Sequence, residues 1–397
     1  MANQLKIRPF ENFKAAITDP DYFYGRTDLL RSVSNSPLEI RILVGGRRLG
    51  KTSILHAIEW TLLNPTSGNL NRVFPVYVNL RKETPDDLEH FFYILVACLR
   101  RAISRWENSS GKDWRERYKT FLAQIAGAEA GLGPFLKVKV INPDYERKLG
   151  KDHFESALWE AINELRSKGR YGISFLFDEG DYLVSKAWAN SALSYFRALK
   201  DSSDPMSPFV GLVLTGYRGV REYKHRIGSA LYNIGSIVTL GPLAEAETRL
   251  LLTGRCTLEA ATLDVRADQF ILETAGGHPY LTQQALTTML DYPSDTALDS
   301  LKQTLMKKHK EDFLDWWNTE SSPDGFGPHE RAAYRCLLQK KKASVFEVAS
   351  ATRLAEFDAL EALDSLVATG LISASTGEGT FILGAKLFAE WVAGQGA

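Results

Sequence analysis

Residues 45 to 52 read Gly45-Gly46-Arg47-Arg48-Leu49-Gly50-Lys51-Thr52 and satisfy the spacing GxxxxGKT in full. The segment before them, Leu38-Glu-Ile-Arg-Ile-Leu-Val44, is rich in branched apolar residues, as a buried strand requires. The segment after them, Ser53-Ile-Leu-His-Ala-Ile-Glu-Trp-Thr-Leu-Leu63, lacks Gly and Pro and reads as a helix. Strand, glycine loop and helix form the setting in which such a loop holds phosphate. The glycines let backbone N–H groups turn inward around a polyphosphate, and the helix N-terminus adds a partial positive charge. Lys51 is expected to reach the β- and γ-phosphates and the Thr52 hydroxyl to sit on Mg2+, with Ser53 closing the candidate site for ATP or ADP. A Gly-rich turn that merely carries Lys-Thr is the competing account, and the flanking strand and helix weigh against it.

Downstream, the alternation of strand and helix signals continues to about residue 240. Strand candidates are Arg72–Leu80, interrupted by Pro75, then Ile173–Phe177, Phe209–Thr215 and Ile237–Leu240, with helices over Asp86–Arg105, Asp152–Arg166 and Trp188–Lys200. Five short apolar strands separated by helices predict an α/β fold with a parallel sheet covered on both faces. The interval 106–150 is an insertion in which residues 131–141 alternate like a short exposed strand, and it reads as a surface excursion rather than a binding element.

Hydrolysis needs an acidic element on a neighbouring strand, and Phe175-Leu-Phe-Asp178-Glu179 supplies one. Asp178, at the carboxyl end of its strand, is placed to hold Mg2+, and Glu179 to orient and deprotonate the attacking water. Asp181 reads equally as a helix N-cap or a site residue. The next strand ends at Thr215-Gly-Tyr-Arg218; ligands gather at the carboxyl ends of parallel strands, so Thr215 is a candidate near the γ-phosphate and Arg218 a sensor of its charge. The bland account of Arg218 is a surface arginine; for Arg47 and Arg48 the choices are phosphate, an adjacent subunit or solvent.

With 48 basic and 48 acidic residues in 397, the chain has no net charge to favour nucleic acid or anionic membrane as a whole. Cys98, Cys256 and Cys336 lie far apart in apolar surroundings, which indicates neither a disulfide framework nor a zinc site. No stretch approaches a membrane span or a signal peptide, so a cytoplasmic location without membrane contact is expected. Beyond Leu240 the pattern becomes helical, residues 318–327 read as a Gly/Pro/Ser linker, and the helices and strands that follow have the order of a winged helix-turn-helix. The expected units are a core over 1–242, a helical lid over 243–317, the linker, and a winged helix over 328–397.

Together these features resemble the STAND and AAA-like P-loop ATPases, in particular a bacterial and archaeal branch whose loop reads Gly-x-Arg-Arg-x-Gly-Lys-Thr. Tyr24-Gly25-Arg26 is similar to the segment that lines the adenine pocket there. Gly276-Gly277-His278-Pro279 resembles the lid motif whose proline packs on adenine, and Thr215–Arg218 resembles the sensor at the end of the fourth core strand. The resemblance implies a sheet of order 5-1-4-3-2, and a winged helix that closes over ADP and opens on exchange for ATP. Two departures stand out: the Met-His-Asp signature of many winged helices there is missing, and no effector or repeat sensor is fused to the chain.

These features lead to a slow, regulatory, Mg-dependent ATPase. It is expected to act as a conformational switch in signalling or defence, through a separate effector or sensor protein or as a homo-oligomer in the ATP state. The alternative is a DNA-handling ATPase akin to origin-loading or transposition regulators. It is less favoured, because the helix in the base-reading place carries Glu356, Asp358, Glu361 and Asp364 and no basic residue, a face that repels phosphates.

Overall fold

The computed structural model describes residues 16–64, 72–108, 147–200, 204–232, 235–292, 296–375 and 379–395. The chain opens with α1 (Thr27–Asn35), β1 (Ile40–Val44), α2 (Lys51–Leu63), β2 (Val73–Asn79), α3 (Leu80–Glu83) and α4 (Leu88–Asn108). It continues through α5 (Lys151–Ser167), β3 (Gly172–Asp178), α6 (Gly180–Val184), α7 (Ala189–Leu199), β4 (Val210–Gly216), α8 (Arg218–His225) and β5 (Ser236–Thr239). The five strands are parallel in the order β2-β3-β4-β1-β5, the order that the family resemblance implied. Every residue of β1, β3 and β4 is buried, as continuous apolar strands sandwiched between helices must be.

Pro75 sits inside β2 without breaking it, because β2 is an edge strand. Pro75 stands beside Ser174 of β3, and an edge strand tolerates a residue without an N–H better than a central one. The short helices α3, α6 and α8 were not anticipated: α3 and α6 are too short to show a period, and α8 is mostly polar, with only Val220 and Tyr223 buried. The insertion is described only at its edges, so the alternating stretch 131–141 lies outside the described residues.

The second half comprises α9 (Glu245–Leu258), α10 (Val265–Ala275), α11 (Pro279–Asp291), α12 (Leu298–Lys308) and α13 (Lys310–Trp317). Then come α14 (Pro328–Lys340), β6 (Lys342–Ser344), α15 (Val345–Thr352), α16 (Glu356–Val367), β7 (Ile372–Ala374), β8 (Thr380–Leu383) and α17 (Lys386–Gly394). Two strands were expected near the end and three are present, antiparallel in the order β6-β8-β7.

The expected lid and the expected final unit share one apolar core, which runs from Leu243 and Leu252 through Phe313 and Trp316 to Phe388 and Val392. Residues 318–327, with their linker composition, are packed rather than loose: Phe326 is buried in that core and its N–H bonds the Trp316 carbonyl at 2.9 Å. A linker-like composition fixed the turn but not the packing, since one aromatic is enough to anchor a ten-residue connection. Among the described residues no helix is long and apolar enough to cross a membrane.

Candidate nucleotide site

Register decides which side chains meet at the carboxyl end of the sheet. Leu43 and Val44 of β1 stand beside Thr215 and Gly216 of β4, while β3 ends alongside at Asp178. The loop therefore leaves β1 next to Asp178 and Thr215. The Asp178 carboxylate is almost wholly buried and accepts four hydrogen bonds: from Thr52 Oγ1 and Tyr77 Oη at 2.9 Å each on one oxygen, and from Thr215 Oγ1 at 2.9 Å and the Glu179 N–H at 3.0 Å on the other. All four donors are neutral. Burial, followed by the charge of Asp178, pushes the Tyr77 phenol well above its ordinary value, so it stays a donor.

Lys51 folds back over the loop and donates to the carbonyls of Gly45 and Gly46 at 2.7 and 2.8 Å. Burial lowers its pKa, opposed by the acids around it, of which Asp181 is the strongest. Glu179 follows Asp178 in the left-handed region (φ +60°), which turns its side chain away from that of its neighbour. Burial and then the adjacent Asp178 raise its pKa, and Arg81 stands 3.9 Å away. A carboxylate with raised proton affinity is the kind of group that accepts a proton from water. Asp181, by contrast, caps α8: its two oxygens accept the N–H groups of Tyr217 and Val220 at 2.8 and 2.9 Å.

The three arginines, for which phosphate, another subunit and solvent were the choices, all reach across to the second half of the chain. Arg218 pairs with Glu330 of α14 at 2.8 Å, and Arg47 with Asp315 of α13 at 3.0 Å. Arg48 grips Asp312 of α13 with both nitrogens, at 2.6 and 2.9 Å, and its guanidinium lies 4.2 Å above the centre of the Tyr280 ring. Asp312 also accepts from Tyr280 Oη at 3.0 Å and His309 Nδ1 at 3.1 Å. Burial works to raise the Asp312 pKa, but those bonds and the Arg48 charge outweigh it and hold the carboxyl below its ordinary range.

Two loop residues have positive φ: Gly50 at +84° and Arg48 at +65°. Glycine adopts this conformation freely, whereas an L side chain there costs about 1–2 kcal/mol. Such a residue persists where its surroundings hold it.

The remaining candidates line the same seam. The Gly46 N–H donates to the Ala368 carbonyl just past α16 at 2.7 Å, and at Gly370 a Cβ would stand 2.6 Å from Leu49 and 3.4 Å from the His278 ring. His278, at the start of α11 with Pro279, is buried and stacks on Trp316 at 5.0 Å. Neither ring nitrogen has a hydrogen-bond partner among the described residues. Burial, then the charges of Arg48 and Arg26, push its pKa down to about 3, so the ring is neutral.

Tyr24 lies against Gly254 of α9, and a Cβ at Gly25 would press on Leu243. The Arg26 N–H bonds Glu247 at 2.6 Å, and its guanidinium bonds the Gly241 carbonyl. Ser53 accepts the Ile17 N–H at 2.9 Å, so its hydroxyl ties down the N-terminal segment. Sequence reasoning missed Tyr77, Tyr280, His309, Asp312, Asp315 and Glu330. Asp312 and Asp315 are three apart on one helix and so share a face, but nothing local names the arginines they meet.

No protein-family model matches the chain, and no curated protein matches it. Among solved structures, a Walker-type ATPase of Pyrococcus abyssi superimposes with a TM-score of 0.61 at 16% identity, covering 96% of this chain and all of that one. The ORC2 protein of Aeropyrum pernix, in its ADPNP–ADP complexes, gives 0.51 at 13% identity, covering 96% of this chain and 98% of that one. The fold is that of a P-loop NTPase. At this level of identity the likeness is one of architecture, and the chemistry has to be read from the residues.

Proposed function

We propose that the chain is an Mg-dependent ATPase of the STAND and AAA-like kind, working as a conformational switch in which a core, a helical lid and a winged helix move relative to one another. The observation that carries this reading is the buried Asp178 carboxylate, which meets the Thr52 hydroxyl at 2.9 Å beside the phosphate loop, with four neutral donors and, among the described residues, no cation bonded to it. Two oxygens so placed fit a small hard cation that keeps most of its coordination for water and phosphate. Among the described residues no three His, Cys, Asp or Glu form a metal cage, which a nucleotide-borne ion does not need. Mg2+ bound there would neutralise charge building on the phosphates.

In this reading the residues of the chain divide the work. Lys51 leaves the loop carbonyls to bond the β- and γ-phosphates, and the free N–H groups at the start of α2 hold the β-phosphate. Glu179 takes the proton of the attacking water, and Thr215 fixes Asp178 from the opposite side. Exchange of ADP for ATP would break the Arg218–Glu330 pair while Arg48 stays on Asp312, re-angling the second half of the chain for a separate effector or for a further copy. Phosphate release measured with ATP and Mg2+ tests the chemistry: Glu179→Gln should lower turnover by about 10²–10⁴-fold. Equal rates in the two proteins would remove Glu179 as the base.

The order of α14, α15, α16 and the three-stranded sheet, that of a winged helix-turn-helix, supports a second reading as a DNA-handling ATPase. Phe357 stands exposed on α16 beside its acids, a surface better matched to protein than to phosphate. A salt-dependent shift of duplex DNA by the full chain would favour the second reading.

A further inference from the structure

We propose that Asp312 is a positioning residue for the phosphate loop: by clasping Arg48 from the second half of the chain, it holds that residue in the left-handed conformation the loop requires. The loop is thereby receptive to nucleotide only while α13 is docked against it. This rests on the nucleotide-binding reading above and adds a dependence that the loop motif does not contain.

Three observations converge on it. The loop needs positive φ at position 48, where an arginine, not a glycine, supplies it. The arginine is held at three points: two ion-pair contacts to Asp312, and the face of Tyr280. Asp312 is itself fixed by Tyr280 and His309, so the clasp is anchored in the helical half rather than on a mobile surface chain. A merely adhesive ion pair would be indifferent to the backbone of its partner, whereas a clasp that maintains φ is made redundant by glycine.

The test follows from that redundancy and uses the full chain, Mg2+ and a fluorescent non-hydrolysable ATP analogue. Arg48→Gly removes the clasp but adopts positive φ freely, and should bind the analogue within about threefold of wild type. Arg48→Ala removes the same charge without that freedom, and should bind about tenfold more weakly. Asp312→Asn should lose about tenfold, and combining it with Arg48→Gly should return binding to the level of Arg48→Gly alone. Thermal melts of each variant separate loss of fold from loss of affinity, and if Asp312→Asn unfolds, the Ala and Gly variants at position 48 decide the matter by themselves. Equal affinities of Arg48→Ala and Arg48→Gly, whether both strong or both weak, overturn the clasp. A wild-type chain that does not bind the analogue overturns the nucleotide reading first and the clasp with it.

Discussion

Two buried carboxylates face the loop from opposite sides, and their surroundings differ in kind. Asp178 collects hydroxyl and backbone donors from the core alone, and among the described residues no cation bonds it. Asp312 collects a phenol and an imidazole from the helical half, and a guanidinium that cancels its charge outright. Burying a carboxylate without a counter-charge is costly, so a site that retains one is prepared for a cation it does not itself supply. A carboxylate already neutralised holds structure together. Residue type alone does not separate these two aspartates; the charge of their partners does.

The largest effect should come from exchanging the two roles. Asp178→Asn removes the charge prepared for a cation and should lower ATP turnover by about 10³-fold while leaving the melting temperature within a few degrees. Asp312→Asn strands a partly exposed guanidinium and should cost about 2–3 kcal/mol of stability, somewhat less than breaking a fully buried pair, while turnover at saturating ATP stays within about threefold. Phosphate release and thermal melts on both proteins decide it. If each variant lost both properties to the same extent, the distinction between the carboxylates would collapse.

How much of this was legible in the sequence follows the same division. Asp178, Glu179 and Thr215 sit at the carboxyl end of an apolar strand or directly after one, and Lys51 and Thr52 open the helix that the loop joins to β1, so a parallel sheet brings them together by its own geometry. Tyr77 escaped notice because its meeting with Asp178 depends on how β2 lies against β3, a register that no motif announces. The seam was out of reach for a different reason. For Arg47, Arg48 and Arg218 the local sequence left phosphate, another subunit and solvent as choices, but their partners are more than 100 residues away along the chain. The helices and two of the three strands of the final unit were legible from the sequence, whereas its fusion with the lid into one core was not, since apolar periodicity states that a face is buried but not against what.

Acid should act on the two regions in opposite directions, a smaller effect that sharpens the contrast. His278 titrates near 3 in the folded chain against about 6.5 in an unfolded one, so between those values only the unfolded state takes the proton. Its contribution is intact above about pH 6.5 and is lost as pH falls, by at most about 1.4 kcal/mol per pH unit. His309 and Asp312 are shifted downward too, and their contributions are likewise lost towards acid. Glu179 is shifted upward, so acid relieves rather than adds to the strain beside Asp178. Melting curves of wild type and His278→Phe between pH 7.5 and 5 should diverge, the wild type falling more steeply. Parallel curves would mean that the buried imidazole is not what the seam loses.

The smallest effect is expected where the same kind of pair meets solvent. Arg47 and Asp315 are 3.0 Å apart, with 43% and 35% of their side chains exposed, against 21% and 8% for Arg218 and Glu330 at 2.8 Å. Distance barely distinguishes the two pairs, so any difference in strength has to come from water. Exposed pairs gain little over their hydrated separated state, and Arg47→Ala should change stability by no more than about 0.5 kcal/mol. Arg218→Ala strands Glu330, although the Gly327 N–H continues to bond that carboxylate. A double-mutant cycle on Arg218 and Glu330 should therefore return a coupling of about 1–2 kcal/mol. If the Arg47 pair coupled as strongly as the Arg218 pair, burial would not be what grades the seam. The arginine next to the loop's left-handed residue would then share the work assigned to Arg48, and the clasp would span two acids of α13 rather than one.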